Sequence, residues 1–367
     1  MKHLPWHARV VLPMTRKAPG RQKLKAMKLI LILLTVLTVA IVACTSHSRE
    51  GRAEQVQILQ ADKHQGYTCT MNCENGKIYE APGNCPRCGM ELSPVTQVSQ
   101  KAKEYKMDYE SFPAELIPGS PGSLYFTPKV KDHASEQVAL DRVHEKKIHL
   151  IIVNDDLSYF DHVHPAEDTQ GSYRIRVLSK DQPYSLGPGN DETRFEQAGT
   201  YYLFADYQPS QAVHQLEKIL VNLPGKVPGP ARYTAPVLSN RSGNFTAKLE
   251  TAGGTLTAGA PVHLTASLYK DNRLFDANHL DNYLGAKAHI VSIGLHDKEY
   301  IHLHPEVSGE KFQIMTVFSN PGIYRAWLQF RAEDKLHTID FTIMVNKANH
   351  TLIPNNVQHD MHHDHKH

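Results

Sequence analysis

Short apolar runs separated by turn residues fill the chain from about residue 107 to residue 347. HLIIV, YRIRVL, TYYLFADY and EKILVNL come first; FTAKLE, PVHLTASLY, HIVSIGL, YRAWLQF and DFTIMV follow. Each is 5 to 9 residues long, rich in β-branched and aromatic residues, and bounded by Gly, Pro, Asn or Asp. Such runs predict β-strands, and no amphipathic stretch of three helical turns interrupts them. The runs fall into two sets, 107–223 and 242–347, each the size of one domain. Between them Pro224, Pro228, Pro230 and Pro236 make 224–241 a stiff linker. The predicted fold is mainly β, with two tandem sandwiches of immunoglobulin-like or cupredoxin-like shape.

The two sets are copies of one domain. His149, His162 and His164 recur as His289, His302 and His304, with the same 13-residue step and the same HxHP ending. Gly199 and Tyr201 precede His214 by the intervals at which Gly322 and Tyr324 precede His337. Repeat one has 34 residues between HxH and that glycine where repeat two has 17, and the excess lies in the loop-like KDQPYSLGPGNDE. His133, His144, His263, His279 and His296 have no counterpart. Histidines two apart on a strand share a face, with Cα atoms roughly 7 Å apart, and imidazole is a common metal ligand. A tight hairpin centred between Asp155 and Asp156 would set His149 opposite His162. The expectation is one metal quartet per repeat, His149, His162, His164 and His214 in the first and His289, His302, His304 and His337 in the second. Ring nitrogens of each set should lie roughly 3–5 Å apart in the absence of an ion. The competing reading is a structural histidine network inherited twice.

Composition sharpens this picture. The chain has 367 residues, a formal net charge of +2, 23 histidines and only 5 cysteines. No basic stripe interleaved with aromatics is present, so nucleic acid is not an expected partner. Residues 1–43 contain a 15-residue apolar run, Leu29 to Ala43, ending in Ile41-Val42-Ala43-Cys44. The run is short for a membrane span, which remains the alternative. Basic n-region, apolar core and lipobox together resemble a bacterial lipoprotein signal peptide. The resemblance implies that Cys44 is acylated and holds the mature chain on the periplasmic or cell-surface side of a membrane. Thr45 in place of an aspartate favours the outer membrane. Residues 44–65 read as a polar tether. Residues 348–367 end in HDMHHDHKH, a loose tract able to capture metal ions.

The remaining cysteines lie within 66–96, as C-x3-C-x11-C-x2-C: Cys69, Cys73, Cys85 and Cys88. So short a segment cannot bury a core of its own, and either a tetrahedral thiolate site or two disulfides must cross-link it. Tyr67, Thr68, Cys69 and Met71, then Pro82, Gly83, Cys85, Pro86, Cys88, Gly89, Met90, Leu92 and Pro94, resemble the heavy-metal-binding domain of copper-transporting P-type ATPases and efflux components. Asn72 stands where that family has histidine and Cys73 where it usually has proline, which shifts the expected ligands toward sulfur. Met71 and Met90 are soft thioethers that favour Cu(I), or else simply cover apolar surface.

The function expected from these features is a membrane-anchored lipoprotein that sequesters or relays copper or zinc-type ions, with a metal efflux system as partner. The alternative is a structural or partner-binding surface lipoprotein in which metal only stabilises the fold. An enzyme is not expected. No serine elbow, phosphate loop or dinucleotide fingerprint occurs, and neither repeat has the cysteine of a blue-copper centre, although a hydrolytic three-histidine zinc site stays open.

Overall fold

The structure is a computed structural model, and it describes residues 66–69, 74, 76–95, 103–133, 135–184 and 190–348. The expected signal segment, Cys44, the expected tether, Met71, Cys73 and the histidine tail from residue 349 onward lie outside the described residues.

Each repeat is a sandwich of two sheets, and no α-helix occurs among the described residues. In repeat one, β1 (Ile148–Asn154), β2 (Phe160–Val163), β3 (Gly199–Tyr207) and β4 (Gln215–Leu223) form one sheet in the order β4-β3-β1-β2. A five-stranded sheet built on Tyr105–Phe112, Gly122–Val130 and Tyr173–Val177 closes over it. Leu124, Phe126, Leu150, Ile152, Ile175 and Leu203 fill the core between them. In repeat two, β5 (Ala288–Gly294), β6 (Tyr300–Leu303), β7 (Gly322–Ala332) and β8 (Lys335–Asn346) repeat that arrangement, with Leu256–Thr257 added parallel to β8. A six-stranded sheet covers its inner face around Phe245, Leu264, Leu268 and Phe312.

The outer faces of the two histidine-bearing sheets are covered by each other. On β1, Leu150 and Ile152 point into their own sandwich, so Ile151 and Val153 point outward, yet both are fully buried. They join Leu157 and Phe204 against Val291, Ile293 and Trp327 of repeat two. Phe160 stacks on Trp327 at 4.3 Å and Phe204 on Tyr300 at 5.1 Å. This is why HLIIV has no apolar–polar alternation: a strand covered on both sides is apolar on both. Burying each such side chain contributes about 1.5–3 kcal/mol, enough in sum to hold the repeats face to face.

The cysteine module is a three-stranded sheet, Ile78–Tyr79, Tyr67–Cys69 and Leu92–Pro94. It packs on repeat two, across repeat one in chain order, and Cys69, Cys85, Cys88 and Leu92 are continuous with the core of that repeat. Arg87 pairs with Glu299, and Thr316 Oγ1 donates to the Arg87 carbonyl at 2.8 Å.

Candidate metal centre

The hairpin that carries HxH corrects the expected register. Ile151, not His149, lies opposite His162, and Leu150 opposite Val163, so His149 is level with His164. The loop between β1 and β2 is five residues long, held by Asn154 Oδ1 on the Tyr159 N–H (2.9 Å) and by Asp156 on Ser158, where a two-residue turn was expected. The offset is two residues, an even number, so the parity of the strand is kept and the three histidines still share a face. The same register recurs in repeat two, where Ile290 lies opposite Leu303.

Three histidines converge in each repeat. One ligand atom from each of His149, His162 and His164 lies within 4.8 Å of the others, and His289, His302 and His304 do the same. His149 Nε2 is 3.0 Å from the Val143 carbonyl and His289 Nε2 is 2.9 Å from the Tyr283 carbonyl. A carbonyl only accepts, so both Nε2 atoms carry the proton and both Nδ1 atoms present lone pairs. His149 Nδ1 faces His162 Nε2 at 3.2 Å, and His289 Nδ1 faces His302 Nε2 at 3.4 Å. His162 in turn uses Nδ1–H on Gln329 Oε1 at 2.7 Å, an acceptor oriented by the Gln329 amide N–H on Thr338 Oγ1 at 3.0 Å. Two lone pairs therefore point at each other in repeat one with no proton between them. Nitrogens bound about 2.0–2.1 Å from one tetrahedral ion sit about 3.3–3.4 Å apart, close to the 3.2 Å and 3.4 Å found in the two repeats.

The fourth histidines stand elsewhere. β4 is separated from β1 by β3, about 10 Å across two strand spacings, and Asp206 on β3 occupies the space between. His214 pairs with Asp206 Oδ1. Asp206 Oδ2 also accepts from Tyr300 (3.2 Å) and faces His302 Nδ1 (3.4 Å). His337 stacks on Phe330 and meets Phe245 edge-on. The structure thus gathers three of the four expected residues in each repeat.

A seventh histidine belongs to the centre. His144 stacks on His304 at 3.9 Å and stands edge-on to His289 and His149. It sits in a two-residue turn whose central positions have positive φ, 47° at His144 and 67° at Glu145, as Leu284 and Gly285 do in repeat two. Repetition misses it because its counterpart is Leu284; its position in the turn that also offers the Val143 carbonyl to His149 was the available signal. Buried His144 Nε2 and both ring nitrogens of His304 have no hydrogen-bond partner among the described residues. Unpaired buried imidazole nitrogens are costly, and an ion would satisfy them.

Burial keeps five of these rings neutral. Burial holds His149, His289 and His304 well below the usual histidine value, and pushes His162 down to about 3 and His144 to about 4. Against the upward push of burial, His214 and His302 hold the Asp206 carboxyl well below the usual carboxylate range. Neutral imidazoles beside an ionised carboxylate form a donor set ready for a cation. Across the interface the trios are close: ring centroids are 5.8 Å apart for His149 and His302, and 6.0 Å for His162 and His302.

In the module, one sulfur from each of Cys69, Cys85 and Cys88 lies within 4.8 Å of the others, and Cys69 Sγ is 3.5 Å from Cys88 Sγ. Thiolates about 2.3 Å from a tetrahedral ion are about 3.8 Å apart, so the cluster suits a soft ion. Half-buried Met90 packs against the core beside them. A cavity of about 710 Å³ joins the two collections, lined by Arg87, Cys88, Asp206, His214, Tyr300 and His302 among others.

Residues 67–95 match the heavy metal binding domain, and residues 100–222 and 240–347 match a family described as Domain of unknown function (DUF8832). No curated protein matches the chain. Among solved structures, Salmonella alpha-2-macroglobulin reacted with methylamine is 11% identical, with 67% of this chain and 15% of that one covered and a TM-score of 0.22. The Yersinia pseudotuberculosis adhesin InvE is 9% identical over 66% of this chain and 58% of its own, with a TM-score of 0.18. The Escherichia coli adhesin FdeC is 12% identical over 71% of each chain, with a TM-score of 0.20.

Proposed function

We propose, for a chain that belongs to the DUF8832 family and carries a heavy metal binding domain ahead of its two family repeats, that it is a membrane-anchored lipoprotein holding and relaying copper or zinc-type ions outside the cytoplasm. The observation that carries the reading is the facing pair of unprotonated nitrogens, His149 Nδ1 and His162 Nε2, at the edge length of a tetrahedral ion site. Thiolates suit Cu(I) and imidazoles suit Cu(II) or Zn(II), so the two collections cover soft and borderline ions. The shared cavity supports a relay over simple storage, because Cys88 and His302 both line it. Cys44 is the proposed lipid anchor and a metal efflux system the proposed partner. The protein acts without catalysing a reaction.

The alternative, in which metal only staples the fold, is favoured by the interface position of the trios. Elemental analysis of protein purified without added metal separates the two. The relay reading expects ions in both collections and, for the His162→Ala/His164→Ala double variant, the loss of one equivalent from a folded chain whose cysteine module stays occupied. A double variant that unfolds only when its ion is lost supports the staple; an unchanged metal content refutes both.

A further inference from the structure

We propose that the two histidine trios form one centre for two ions, and that its two sites are unequal because each trio takes its orienting acceptor from the opposite repeat. The proposal rests on the reading of the trios as metal ligands and adds to it an order of filling.

Asp206 and Gln329 occupy the same position of the duplicated domain. Asp206 lies opposite His149 on the neighbouring strand, and Gln329 lies opposite His289. Neither orients the trio of its own repeat. Asp206 Oδ2 reaches across the interface to His302 Nδ1, and Gln329 Oε1 reaches back to His162 Nδ1. The exchange makes each site complete only when the repeats are docked. It also makes them different, since a carboxylate stands behind His302 and a neutral amide behind His162.

A hydrogen-bond acceptor behind a ligating imidazole fixes the ring and raises its basicity, and removing one lowers metal affinity about 10- to 100-fold. A carboxylate does this with a full negative charge that also offsets the charge of the ion. Here that charge is held in place by Tyr300 and His214 as well. The His289, His302, His304 site therefore fills first. The second ion then enters the His149, His162, His164 site against the field of the first, because His162 and His289 rings are only 6.5 Å apart. His214 thereby acquires a role: it is a positioning residue that holds Asp206, not a ligand of its own repeat's trio.

The test is an anaerobic titration of the full chain, thiols reduced, with a Co(II) salt. Thiolate-to-cobalt charge transfer counts the ion in the cysteine module, and the visible ligand-field intensity in excess of what accompanies that charge transfer counts those on imidazole. Two imidazole-bound ions in two resolved steps are expected, the stronger lost in His304→Ala and the weaker in His164→Ala. Asp206→Asn should weaken the stronger step about 10- to 100-fold and leave the weaker step and the thiolate band in place. Gln329→Glu should strengthen the weaker step about tenfold or more, a gain that a merely structural residue would not produce, and it decides the matter if Asp206→Asn does not fold. One ion in the histidine centre, two equal steps, or an Asp206→Asn effect on the step lost in His164→Ala would each overturn the inference while leaving metal binding intact. Ligand-field bands that only track the thiolate band, with no excess intensity, would overturn the metal reading of the trios, and the inference with it.

Discussion

Acidification of the metal-free protein should cost stability well above the pH at which ordinary carboxylates titrate. His149, His162, His289 and His304 are held neutral by burial, and His162 is pushed down to about 3. In the unfolded chain each takes up a proton near the ordinary value of about 6.5. Below that pH the unfolded state binds more protons than the native state, so stability falls as pH falls, and continues to fall until the folded value is reached. The slope is ~1.4 kcal/mol per pH unit for each such histidine, or ~2 kcal/mol for His162 between pH 6.5 and 5. Asp161 acts in the opposite sense. Burial raises it to about 6, so the native state binds its proton first and regains ~1.4 kcal/mol between pH 6 and 5. With three further histidines depressed in the same direction, the net loss over this window is several kcal/mol, a large share of the roughly 5–15 kcal/mol that holds a typical domain. Urea denaturation of the demetallated chain at half-unit steps from pH 7.5 to 5 measures it through the midpoint at constant slope. His162→Gln should flatten the dependence by about one histidine's worth. A midpoint that stays level or rises on acidification would show that these rings are not buried neutral and that their nitrogens do not offer lone pairs to an ion.

Two other outcomes follow from the cysteines. Cys44→Ala should release the protein from membranes or leave the precursor unprocessed; a variant that still fractionates with membranes at the mature size refutes the lipid anchor. The reduced chain should hold one soft ion on its module, with the thiols reactive after chelation alone; thiols that appear only on reduction would make the module a disulfide staple.

What the linear chain determined about this protein is whatever follows from local period and repetition. Strand length, turn residues and β-branched content identify the sandwiches, because these are properties of five to nine neighbouring residues. The HxH pairs are legible for the same reason, since alternate strand positions share a face whatever the partner strand does. The Cys69, Cys85, Cys88 spacing is legible because a short segment has no other means of holding a fold. His149 and His289 were found on the right face through a hairpin drawn two residues out of register, and parity protected the inference where register did not.

The rest was decided by packing between distant segments. Repetition suggested two separate quartets, because each copy carries its own histidines and a proline-rich linker divides them. Only docking of the two sheets turns the outer face of β1 inward, brings His144 onto His304, and lets Asp206 and Gln329 exchange trios. The position of His214 was equally hidden, because an offset from a glycine counts residues around a hairpin and says nothing of the strand that lies between. Nor does chain order reveal that the cysteine module crosses repeat one to rest on repeat two. Such contacts are chosen by which apolar faces remain uncovered once each sandwich has closed, and that is a property of surfaces that exist only in the folded chain.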